Sequence, residues 1–260
     1  MSQPLVQLKL EQKGVLGITL NRPEKCNALN IRLLEELCRA VETAKVKSGM
    51  RVLILRGEGK VFCSGLDLKE ALDPEVSHQS AELVARALRS IYLSPLVTIA
   101  AVHGVAVAGG AGLMSACDFI LAEEGTMVGY PEVRRGLVAG LVMTILRRQI
   151  GERQIRELVL TGESFNAHKG VELGIINRVV PPNSLLEESL KLANMILKGA
   201  PQAIAHTKDL LDELYPASLS QDLEHSLRHH MEARRSAEGE EGIKAFMEKR
   251  SPAWAQNEES

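Results

Sequence analysis

Charge of one sign is what this chain most clearly lacks. Lys and Arg number 31 against 33 Asp and Glu, a formal net charge of −2 over 260 residues, with a pI near 6.4. Nothing in that balance draws the chain to a polyanion, so no nucleic-acid partner is expected. The charges are interspersed: along 32–47, Glu35, Glu36 and Glu42 offset Arg32, Arg39, Lys45 and Lys47. Such mixing reads as a solvated helix face.

Cysteine is also scarce. Cys26, Cys38, Cys63 and Cys117 share no short paired spacing, which argues against a zinc site or a disulfide framework and for reduced thiols in a cytoplasmic setting. The first twelve residues alternate like a strand and lack the charged-then-apolar build of a signal peptide. The apolar run 96–122 is interrupted by His103, four glycines and Asp118, so it reads as a buried strand–turn–helix–strand rather than a membrane span. No H-E-x-x-H occurs, 57–60 lacks P-loop spacing, and no G-x-G-x-x-G follows a strand. Neither a metal nor a cofactor is therefore expected.

What the chain does have is 45% hydrophobic residues, enough for a sizeable core. Strands are expected at 5–10, 15–21, 52–56, 96–102 and 119–122, alternating with helices at 30–48 and 80–94, an α/β pattern. Asn30 suits an N-cap, Gly49 a stop, and Leu33, Leu34, Leu37, Val41 and Ala44 recur at helical spacing between them. Pro95 ends the second helix. Beyond Asn183 the reading is helical, at 184–198, 202–214 and 220–249. A soft boundary near Pro181 and Pro182 divides an α/β part, 1–182, from a helical part, 183–260. No low-complexity linker separates them, so they should pack together, and no repeat shows as self-similarity.

Two segments carry the chemistry: GEGKVFCSGLDLK at 57–69 and HGVAVAGGAGLMSACD at 103–118. Each follows a strand-like run and turns through small residues into a helix start, which leaves backbone N–H groups free to hold a developing oxyanion. A third segment, Gly129-Tyr130-Pro131-Glu132, offers a carboxylate.

These motifs, with 18–23, 27–29, 160–162, 174–180, 241–246 and 248–250, resemble the crotonase superfamily, also called the enoyl-CoA hydratase/isomerase family, over nearly the whole chain. The resemblance implies a spiral of β-β-α units with C-terminal helices used for assembly as a homotrimer or a hexamer. It implies an acyl-CoA substrate, with coenzyme A entering as part of the substrate rather than as a cofactor. Carried over, the oxyanion donors are the N–H groups of Leu66 and Gly109, and Glu132 moves the proton. Lys25, Cys26, Ala28, Ser64, Gly65, Asp67, Leu68, Lys69 and Gly110 fall where the family holds substrate and coenzyme.

Each role has a plainer alternative. Gly109 and Gly110 also suit close helix–strand packing, Lys25 and Lys69 suit ordinary exposure, Asp67 suits a helix cap, and Glu132 suits an ion pair with Arg134 or Arg135. Lys249 and Arg250 fit either solvated charge or a neighbouring subunit's coenzyme phosphates. The histidines at 206, 225, 229 and 230 carry no pattern, and His103 reads as a turn residue.

Gly112 departs from the family. Typical hydratases carry a second glutamate there, which helps to position water. Its loss shifts weight towards 3-enoyl/2-enoyl-CoA isomerisation, which needs one base, although methylglutaconyl-CoA hydratases of the family look similar at this point. Tyr130 or His78 are candidates to replace the missing acid. Because hydration is the more frequent reaction in the family, the expectation that the resemblance implies is enoyl-CoA hydration in fatty-acid or branched-chain acyl-CoA breakdown. Isomerisation is the alternative, decarboxylation or thioester hydrolysis lie further off, and a non-catalytic acyl-CoA-binding subunit is the rival of another class.

Overall fold

A computed structural model describes residues 3–73 and 75–258. Its strands are β1 (Val6–Gln12), β2 (Val15–Leu20), β3 (Val52–Gly57), β4 (Val97–Val102), β5 (Val105–Val107), β6 (Phe119–Glu123), β7 (Met127–Gly129), β8 (Ser164–Asn166) and β9 (Arg178–Val180). Its helices are α1 (Ile31–Val46), α2 (Leu68–Leu72), α3 (Ser77–Tyr92), α4 (Gly109–Ser115), α5 (Gly140–Leu146), α6 (Glu152–Thr161), α7 (Ala167–Glu172), α8 (Leu185–Ile196), α9 (Pro201–Glu213), α10 (Leu219–Arg234) and α11 (Ala237–Met247). None is long and apolar enough to cross a membrane.

Two sheets organise the chain. The larger runs β1-β2-β3-β4-β6-β9 and the smaller β5-β7-β8. Beyond the opening hairpin the large sheet is parallel, Val15 standing beside Val52 and Val52 beside Val97. Parallel strands must be covered on both faces, and every residue of β2 and of β4 is buried. One face packs on α8 through Val52, Ile54, Ile99, Leu192 and Ala193. The other packs on α1, α3 and α4.

Successive turns of chain feed one strand to the large sheet and the next to the small one: β4 then β5, β6 then β7. The small sheet is prolonged by two isolated bridges, Leu29 to Leu66 and Cys63 to Ala106. The β-β-α repeat that no self-similarity revealed is thus visible in backbone pairing.

Helix α1 forms as its sequence requires. Asn30 Oδ1 accepts from Leu33 N at 2.9 Å, and the five apolar positions read from the spacing are all buried. The chain leaves the helix at Lys47, two residues before Gly49. Two expectations need correction. The helix set at 80–94 begins earlier, at Ser77. The single helix expected over 220–249 is two, because Ser236 accepts from Gly239 N at 3.1 Å and starts α11 afresh. Beyond residue 182, α8 covers the sheet, while α10 lies against α3 and α5.

Candidate active site

The Leu29–Leu66 bridge arranges the first donor. Leu29 N donates to Gly65 O at 2.8 Å and Asp67 N to Leu29 O at 3.0 Å. Pairing through the residues on either side turns the N–H of Leu66 the other way. Gly109 opens α4, so its N–H has no intrahelical acceptor. Neither N–H donates to another described residue. The two backbones adjoin: a Cβ on Gly109 would lie 4.0 Å from Leu66 N, and one on Gly65 would lie 3.4 Å from Gly109 N. Ala108 makes the turn between β5 and α4 at φ 49°, ψ −125°, a conformation that glycine tolerates and alanine adopts at a cost of about 1–3 kcal/mol.

These donors open into a cavity of about 190 Å³ whose walls include Ser64, Leu66, Leu68, Gly109 and Glu132. Five expected site residues thus meet in one space. Glu132 sits on the short 3-10 turn Pro131–Arg135. It is 6% exposed, and its Oε2 is buried without a hydrogen-bond partner among the described residues. Burial pushes its carboxyl up to about 7; a backbone hydrogen bond and the Arg135 charge pull less strongly the other way. The ion-pair alternative is not what forms. Arg134 pairs with Glu163, and the Arg135 guanidinium stacks over the Phe246 ring, 4.1 Å from its centroid.

The remaining expected residues lie outside the cavity wall. Gly110 is held by packing, since a Cβ there would meet Cys63 O at 2.4 Å. Lys25, Cys26 and Ala28 form a turn beside the Ser64–Leu68 segment, tied by Ser64 N to Cys26 O at 3.1 Å. Asn27 fixes that turn from within: its amide reaches the carbonyls of Glu58, Val61 and Phe62. Asp67 caps α2 through Lys69 N at 3.1 Å and also pairs with Arg22 at 2.7 Å. Lys25 and Lys69 are exposed. Arg250 is held within its own chain by Glu241 and Glu248.

The candidates for the missing acid do not reach the site. His78 belongs to α3, half-exposed, 3.5 Å from Glu82. Tyr130 is fully buried with its hydroxyl 3.2 Å from Ser115 Oγ. At Gly112 a Cβ would meet Val142 Cγ2 at 3.0 Å and Leu88 Cδ2 at 3.4 Å, so a side chain there would start out pressed against apolar groups.

Sequence reading missed Arg135, Phe246 and His230 as cavity-lining residues. His230 is 6% exposed on α10, a helix whose inward face depends on where α5 lies. Nothing in the sequence separates it from the neighbouring His229.

Comparison with known proteins gives a consistent result. Residues 10–257 match the sequence profile of the family described as enoyl-CoA hydratase/isomerase. A Thermus thermophilus protein provisionally named an enoyl-CoA hydratase is 36% identical over 250 residues, covering 94% of this chain and 99% of its own. The mevalonyl-coenzyme A hydratase of Aspergillus fumigatus is 32% identical, covering 92% and 91%. The crystal structure of an enoyl-CoA hydratase from Mycobacterium avium superposes with a TM-score of 0.85 at 30% identity, covering 97% and 100%. That of one from Bacillus halodurans gives 0.86 at 27%, covering 93% and 99%.

Proposed function

The chain belongs to the enoyl-CoA hydratase/isomerase family, with the crotonase fold, and we propose that its reaction is the addition of water to a 2-enoyl-CoA thioester. The observation that carries this reading is Glu132: a nearly enclosed carboxyl, with one oxygen unpaired, in the same cavity as two unoccupied backbone N–H groups. The names of the relatives favour hydration among the family's reactions.

In this mechanism the thioester oxygen accepts hydrogen bonds from Leu66 and Gly109. Those bonds strengthen as the enolate forms, and each is worth about 2.7–4 kcal/mol of barrier. Glu132 takes a proton from water as the oxygen bonds to Cβ, then returns a proton to Cα. One carboxylate thereby serves as base and then acid on one face of the double bond.

Double-bond isomerisation is the second reading, favoured by one observation: position 112 is a glycine with no acid to offer, and the side chains nearest it, Val142 and Leu88, are apolar. Ultraviolet absorbance of the conjugated thioester separates the two. A 2-enoyl-CoA loses absorbance under hydration; a 3-enoyl-CoA gains it under isomerisation, with the 2-enoyl-CoA unchanged. Glu132→Gln that leaves turnover intact would instead point to another base, and no turnover at all to an acyl-CoA-binding subunit.

Assembly as a homotrimer or a hexamer is part of the proposal. Leu210, Leu211 and Leu214 stand exposed in and just after α9, with Trp254 exposed near the end of the chain, a stock of apolar surface suited to burial against further copies.

A further inference from the structure

His230 is the one imidazole in the cavity wall, and the reaction as described leaves it unused. Its Nδ1 lies 3.1 Å from Val138 O. A carbonyl oxygen only accepts, so Nδ1 carries the proton and Nε2 the lone pair. Burial pushes the ring's pKa down to about 4; the bond to Val138 opposes this and the Arg234 charge adds to it. The ring is therefore neutral at physiological pH. Its Nε2 is buried without a partner among the described residues, as is Glu132 Oε2. Leaving a buried acceptor unpaired costs about 1–3 kcal/mol. His230 and Glu132 both line the cavity, and two unpaired acceptors carried by residues of one cavity suit a molecule that donates twice, of which water is the smallest.

We propose that His230 Nε2 holds the attacking water together with Glu132, acting as the second acceptor of the hydration step. The inference rests on the hydration reading above. Water gives one hydrogen to each acceptor, which turns an oxygen lone pair towards Cβ. As the O–Cβ bond forms, the O–H bond facing Glu132 breaks and its proton passes to the carboxylate. The π electrons move onto the thioester oxygen held by Leu66 and Gly109. The enolate then takes a proton at Cα from Glu132, and the hydrogen facing His230 stays on the product hydroxyl. The imidazole gains and loses nothing. It supplies the orientation that a second carboxylate at Gly112 would otherwise give.

The test compares two reactions of the same protein. Hydration of crotonyl-CoA needs the held water; exchange of the Cα hydrogens of butyryl-CoA in D2O, followed by NMR, needs only the oxyanion donors and Glu132. His230→Asn keeps an amide N–H within reach of Val138 O and removes the acceptor at the Nε2 position. His230→Gln brings an amide oxygen near that position. Expected is a loss of about 10- to 100-fold in hydration for His230→Asn, with exchange kept within about threefold and partial recovery in His230→Gln. Unchanged hydration, or hydration and exchange falling together, overturns the role of His230 and leaves the hydration reading standing. A wild-type protein that exchanges Cα hydrogens but never hydrates overturns the hydration reading, and this inference with it.

Discussion

Val142 closes the space beside Gly112: its Cγ2 lies 3.0 Å from where a Cβ on that glycine would sit. Restoring the second glutamate of typical hydratases at this position therefore requires Val142 and Leu88 to give way by a few tenths of an ångström. Gly112→Glu adds a side chain to a filled apolar wall, at about 1–3 kcal/mol for overpacking, and buries a carboxyl with no partner. The expected outcome is lower stability with no gain in hydration. Adding Val142→Ala should recover part of the loss, so that the double variant is more stable than the sum of the single changes. Urea unfolding of the four proteins of this cycle checks it.

Glu132 should link activity and stability to pH in opposite directions. Its carboxyl is raised from 4.5 to about 7 by burial, so kcat/KM should rise with pH through about 7 as the base form appears. For folding the sign is reversed. Between pH 4.5 and 7 the folded state binds the proton more tightly than the unfolded chain, so stability falls as pH rises through that window. The full difference corresponds to about 3 kcal/mol. Glu132→Gln removes the penalty: it should unfold at higher denaturant than the wild type at pH 8, and the advantage should fade towards pH 5. Parallel unfolding curves at both values, with a pH–rate profile, test the two halves separately.

Much of this architecture is legible in the sequence, and the illegible parts share a cause. Asn30 and the apolar spacing after it define α1 because a cap and a buried stripe are local properties. Strands β2, β3 and β4 read as apolar runs because both sheet faces are covered. Strands β5, β7 and β8 have three residues each, too few for alternation to register; backbone pairing with distant partners makes them strands. The break between α10 and α11 hides in a run of good helix formers, where only the Ser236 side chain marks a new start. At the site, the small-residue motifs indicated Leu66, Gly109 and Glu132 by resemblance. His230 depends on a helix–helix contact that no local pattern encodes: its neighbour His229 is rotated about 100° around the helix and is exposed.

Ala108 should show a trade between stability and turnover. Its backbone lies where glycine is at ease, at φ 49° and ψ −125°. Ala108→Gly relieves about 1–3 kcal/mol of strain against about 0.5–1 kcal/mol of added unfolded-state entropy, a net gain near 1 kcal/mol. The same freedom loosens the segment that holds Gly109 N–H. Turnover should therefore fall, by less than the roughly 100-fold that deletion of an oxyanion donor costs. Chemical unfolding and initial rates on one preparation test both.

Gly109 and Gly110 adjoin in sequence yet answer to different constraints, and alanine at each should separate them. A Cβ on Gly110 would sit 2.4 Å from Cys63 O and 2.8 Å from Cys63 Cβ. That carbonyl accepts from Val107 N at 3.1 Å, so it cannot retreat without breaking the bridge that joins the turns of the fold. Gly110→Ala should cost more than about 3 kcal/mol, or yield no folded protein. A Cβ on Gly109 comes nearest the end of the Leu29 side chain, at 3.2 Å, and stands 3.9 Å from Gly65 Cα and 4.0 Å from Leu66 N. Gly109→Ala should therefore fold, because a leucine methyl can yield and alanine favours the helix by up to about 1 kcal/mol. It should nevertheless lose turnover, because the new methyl narrows the space between the two N–H groups proposed to hold the oxyanion. Thermal unfolding separates the pair of variants and initial rates complete the assignment. If Gly110→Ala folds normally and only its activity falls, Gly110 serves the ligand rather than the packing, and the division drawn between the two glycines is wrong.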